Sequence, residues 1–98
     1  MLEVGKLYLC EEFFLLLYPD QEAAAVVLVA VSSVARIEHS AAGHSTYWTK
    51  KLGKSVLYAK KNIPLLSLNN KEKYVEVLAG DRKGWIIVED WLGIKEIQ

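Results

Sequence analysis

The stretch that most constrains this chain is Lys73 to Ile97, where short apolar runs alternate with turn residues and two tryptophans sit at the turns. Tyr74-Val75-Glu76-Val77-Leu78 reads as a short strand, rich in β-branched residues and carrying one outward carboxylate, and Ala79-Gly80-Asp81-Arg82-Lys83-Gly84 follows as a turn. Trp85 to Val88 is a second strand. Glu89-Asp90 interrupts it, Trp91-Leu92 is too short for a strand of its own, and Gly93 lets Ile94 to Ile97 leave with alternating apolar and charged residues. The pattern predicts strand, hairpin, strand, tight turn and closing strand.

Upstream, Val4 to Cys10 reads as a first short strand with Glu11-Glu12 as its polar end, and Phe13 to Tyr18 is an unbroken apolar run that suits a strand covered on both faces. So short a connection predicts a hairpin, or else a bend in one long strand. Asp20 and Glu22 then mark a helix start, and the stretch from Ala23 to Ala42 holds no Gly or Pro until Gly43 offers a stop. At helical spacing Val27, Ala30, Val31, Val34 and Ile37 share one face, with Gln21, Ser32, Arg36 and His39 opposite. The β-branched run Val26 to Val31 keeps a strand as the competitor, but periodicity favours helix. Ser45 is placed to cap a second helix over Thr46 to Leu52, ended by Gly53, with Tyr47, Trp48 and Leu52 packing down.

Beyond it, Ser55 to Ala59 is a strand, Lys60-Lys61-Asn62 a turn, Pro64 the edge or start of a strand over Leu65 to Leu68, and Asn69 to Glu72 a turn into the closing unit. The expected architecture is a single domain over 1–98, α+β and mainly antiparallel, with one curled sheet and a helical insertion after the second strand.

Gly84-Trp85-Ile86, then Glu89 to Leu92 as a helical turn, then Ile94 to Ile97 as a closing strand resembles the C-terminal part of a Src-homology-three-like barrel. The resemblance implies a small curled barrel with a shallow aromatic groove near its loops. It nominates Tyr74, Trp85 and Trp91 for partner binding, beside the acidic Glu89 and Asp90. Ile87 stands where the peptide-binding members carry a groove proline, and no alanine-leucine-tyrosine-aspartate-tyrosine signature lies near the N-terminus. The barrel is therefore carried over without proline-peptide specificity.

Charge narrows the function classes. The net charge is zero, so no global field attracts nucleic acid or an anionic membrane. Residues 50 to 83 nevertheless hold nine Lys or Arg against three acids. Lys50, Lys51, Lys60, Lys61, Arg82 and Lys83, interleaved with Tyr47, Trp48 and Tyr58, form the alternative reading of a weak nucleic-acid-binding barrel. The competing account is a solvated face that guards sheet edges.

Catalytic signatures are thin. His39 and His44 with the single Cys10 do not complete a structural zinc set, and Gly80 to Gly84 lacks the ending of a phosphate-cradling loop. Cys10 lies among apolar residues and reads as a small buried hydrophobe in a reducing compartment. The longest apolar run, Ala23 to Val31, falls short of the ~20 residues a membrane helix needs. The sequence therefore predicts a soluble, cytoplasmic, non-catalytic protein-protein interaction or structural module without metal or cofactor, whose partner is another protein or a second copy of itself.

Overall fold

In the computed structural model, which describes residues 2–11, 14–31, 41–88 and 93–97, the described residues form seven strands and two helices. In sequence order they are β1 (Leu7–Cys10), β2 (Leu15–Leu17), α1 (Gln21–Val31), α2 (Ala41–Leu52), β3 (Leu57–Ala59), β4 (Leu65–Lys71), β5 (Tyr74–Ala79), β6 (Arg82–Ile87) and β7 (Ile94–Glu96). Five strands make one antiparallel sheet in the order β6-β5-β4-β1-β7, and β2 pairs with β3 in a separate antiparallel ladder. The two sheets touch where Tyr18, just past β2, exchanges two backbone hydrogen bonds of 2.8 Å with Trp85 of β6. The plan is α+β with a mainly antiparallel sheet, and the ladders of the described residues do not close into a barrel.

Alternation along the strands divides the apolar residues between two clusters. Val75, Val77 and Ala79 of β5, Ile86 of β6, Leu15 and Leu17 of β2, and Tyr8 and Cys10 of β1 fill the space between the sheets. The opposite faces of β2 and β6 turn Tyr18 and Trp85 toward the helices, where they meet Ala23, Ala24 and Val27 of α1 and Trp48 of α2. The strand from Leu15 to Tyr18 is thus covered on both sides, as its unbroken apolar run predicts.

The helix after β2 forms over Gln21–Val31, which settles the helix-or-strand choice for that span. Asp20 caps it: its Oδ1 accepts the Ala23 N–H at 2.8 Å. The part of the predicted helix over 32–40, with Val34, Arg36, Ile37 and His39, lies outside the described residues. The predicted stop at Gly43 is corrected, because α2 starts at Ala41 and runs through Gly43 and Ser45. Tertiary bonds explain this. Ser45 donates its hydroxyl to the Val56 carbonyl, and one turn later the Thr49 hydroxyl oxygen accepts the Val56 N–H at 2.8 Å. Ser45 is thus a tie to the start of β3 rather than a cap.

Three turn expectations also change. No hairpin joins β1 to β2, since both edges of β1 are taken by β4 and β7 and the Glu11-Glu12 link offers no residue suited to a tight turn. β4 runs on through Lys71, past an irregularity between Ser67 and Asn69, leaving a two-residue turn at Glu72-Lys73. The six-residue turn after β5 shrinks to Gly80-Asp81, because Ala79 already pairs with Arg82. Gly80 supplies the positive φ, 66°, that such a turn requires at its first position.

Candidate functional site

The nominated aromatic groove divides between the core and residues that are not described. Trp85 is only 9% exposed and packs with Tyr18, Val27 and Trp48, while half-buried Tyr74 lies against the same cluster. The Trp85 ring carries the Lys71 ammonium 5.9 Å from its centroid. Glu89, Asp90 and Trp91 lie outside the described residues.

What the residue pattern did not single out is an apolar row on the outer face of the five-stranded sheet. Leu66 of β4 is the register partner of both Leu78 of β5 and Leu7 of β1. The Ile97 N–H then bonds the Leu7 carbonyl at 2.9 Å, directly after the pair Tyr8 with Glu96. Side chains at paired positions share a face, so Leu78, Leu66, Leu7 and Ile97 form one strip across four strands, about 14 Å wide at the usual strand spacing. The neighbouring residues Ala79, Leu65 and Tyr8 point the other way and are buried. Within the strip Leu7 is 44% and Ile97 37% exposed, and Leu66 and Leu78 are half-buried. Val4, 59% exposed, precedes Leu7 at the turn that leads into β1. The signal was present as leucines at the outward positions of β4 and β5, but it becomes legible only once β4, β1 and β7 are known to be neighbours.

The candidate nucleic-acid residues spread over several surfaces. Lys50 and Lys51 sit in the last turn of α2, where positive charge complements the helix dipole, and the Lys51 ammonium lies 5.8 Å from the Tyr47 ring centroid. Lys54 is drawn off to Asp20 at 2.7 Å. Lys60 and Arg82 come together on one cleft of about 330 Å³, followed in sequence by Lys61 and Lys83. Ala59, Ile63 and Ala79 supply the apolar part of that cleft, and Tyr58, Gly80 and Asp81 complete its lining. Arg82 Nη1 donates to the Tyr58 carbonyl at 3.4 Å across it.

Titration adds little chemistry. The hydrogen bond from Lys54, and after it that from the Ala23 N–H, holds the Asp20 carboxyl below the usual range, while Glu3 and then Glu96 hold the Lys6 ammonium above it. Burial pushes the Tyr18 hydroxyl up. Cys10 is 1% exposed, in the core where its apolar neighbours predict it. The His44 ring stands edge-on to Phe14 with centroids 5.4 Å apart, and no group of His, Cys, Asp or Glu among the described residues is arranged to hold a metal ion. No described helix is long and apolar enough to cross a membrane.

Comparison with protein-family models, curated proteins and solved structures finds no match.

Proposed function

We propose that this protein is a non-catalytic protein-interaction or structural module that docks a second copy of itself on the outer face of its sheet. The observation that carries this reading is the row Leu78, Leu66, Leu7 and Ile97. The strip lies at the solvent side of an antiparallel sheet, where polar residues are expected, and this supports reading it as a surface covered by a partner. The strip ends at β7, a three-residue edge strand whose Lys95 and Glu96 are charged, an arrangement that discourages indiscriminate edge pairing and favours contact through the face. Trp85 packs in the core and is left out of the proposed surface, Tyr74 lies half-buried beside it, and Trp91 with Glu89 and Asp90 stays in the proposal as sequence positions outside the described residues. The curl of a Src-homology-three-like barrel is likewise proposed, and the Tyr18 to Trp85 pair that joins the two sheets supports it.

The test is the solution mass with Leu7→Glu and Ile97→Glu, two exposed positions where a charge leaves the core untouched. Loss of the assembly with the circular dichroism spectrum kept is the expected outcome.

The second reading, weak nucleic-acid binding, is supported by the meeting of Lys60 and Arg82 on one cleft. Affinity that falls steeply with added salt would favour it over docking through the leucine row.

A further inference from the structure

A cleft of about 330 Å³ lies between β3 and the β5–β6 turn. We propose that it takes an extended peptide segment bearing a carboxylate, which adds alongside β3 and sets its acid between Lys60 and Arg82.

Three observations converge on it. The first is the edge. β3 pairs with β2 through Leu57, Tyr58 and Ala59, and β2 is its only ladder partner among the described residues. The Tyr58 carbonyl accepts a long 3.4 Å bond from Arg82, a residue of the cleft lining, so it is reached from the cleft side. Both polar groups of Val56 are taken by α2, so the Tyr58 carbonyl is the group that an added peptide strand would pair with.

The second is shape. The cleft of about 330 Å³ has the size of a small binding site, and Ala59, Ile63 and Ala79 give it an apolar part for one side chain of the incoming strand. Ala59 and Ala79 are 7% and 6% exposed, so small residues close the floor where larger ones would fill it.

The third is charge complementarity. Lys60 and Arg82 line the cleft against one acid, Asp81. Neither Lys60 nor Arg82 has an ion-pair partner within 4.0 Å among the described residues, so both cations are available to a ligand. Arg82 meets a carboxylate through a planar fork, and only its weak bond to Tyr58 is given up. The terminal carboxylate of a peptide and an aspartate or glutamate side group offer the same chemistry, and the site recognises either. The inference stands whether or not the leucine row binds anything.

The experiment titrates the whole protein with three probes and reads backbone amide shifts. The first is an N-acetylated Thr-Val-Asp-Val peptide with a free terminal carboxylate, the second its Asn counterpart with that carboxylate amidated, and the third an oligouridylate. The expected result is saturable shifts at Tyr58 to Lys60 and Gly80 to Lys83 with the first peptide, weakened at least about tenfold with the second. Lys60→Gln with Arg82→Gln, both at exposed positions, lowers the first affinity by a similar factor while the spectrum stays folded. Two results overturn the proposal: the two peptides bind equally or not at all, or the oligouridylate shifts these amides at lower concentration than the acidic peptide. If the double variant unfolds, Lys60→Gln alone decides, since Lys60 makes no hydrogen bond or ion pair among the described residues.

Discussion

A β-carbon placed on Gly84 would lie 2.6 Å from the β-carbon of Leu17 and 3.2 Å from its backbone Cα and carbonyl carbon. β2 crosses β6 at this point, one residue before Trp85 makes its backbone pair with Tyr18. The glycine that the sequence offered as the end of a turn is in fact a mid-strand residue that lets two backbones meet.

Gly84→Ala is therefore expected to destabilise the fold by about 2–3 kcal/mol, because the obstacle includes backbone and cannot rotate away. Gly80→Ala has open space around its β-carbon and pays only for its positive φ, about 1 kcal/mol. Urea unfolding of the two variants checks the order.

Val56 is held at both its polar ends by α2, through Ser45 and Thr49. Thr49→Val removes the acceptor of the Val56 N–H in a half-buried place and is expected to cost about 1–2 kcal/mol. Ser67→Ala should behave in the opposite way. The Ser67 hydroxyl is buried without a hydrogen-bond partner among the described residues, so its loss leaves stability unchanged or raised by up to about 1 kcal/mol. Thermal unfolding of both variants separates the two cases.

Asp20 caps α1 and pairs with Lys54, which lowers its carboxyl pKa in the fold. A group whose folded pKa is depressed contributes stability above its unfolded pKa and loses it as pH falls through the folded one. Asp20→Ala is thus expected to cost about 1 kcal/mol at neutral pH, with the gap to the unsubstituted protein closing as pH drops below about 4. Paired unfolding curves at neutral and acid pH test this.

How much of this could be read from residues alone depends on where the controlling contact lies. The alternation of Tyr74 to Leu78, the cap at Asp20, the two-sided burial of Leu15 to Tyr18 and the packing-down of Trp48 are local signals, and each appears in the fold. Turn boundaries failed where a distant partner decided them. Gly84 looked like turn punctuation because nothing near it in sequence announces Leu17, and Gly43 looked like a stop because nothing announces that Ser45 and Thr49 bind Val56. The site has the same history. Tryptophans draw attention by type, yet Trp85 serves the core, whereas the leucine row exists only through the register of β5, β4, β1 and β7.

The most direct test of docking through that row is the solution mass by light scattering at two salt concentrations, on protein checked for bound nucleic acid by its absorbance ratio. The account predicts an assembly larger than a monomer, insensitive to salt, that Leu7→Glu with Ile97→Glu reduces to a folded monomer. A monomeric mass unchanged by the two substitutions, or nucleic acid that salt strips away, would contradict it.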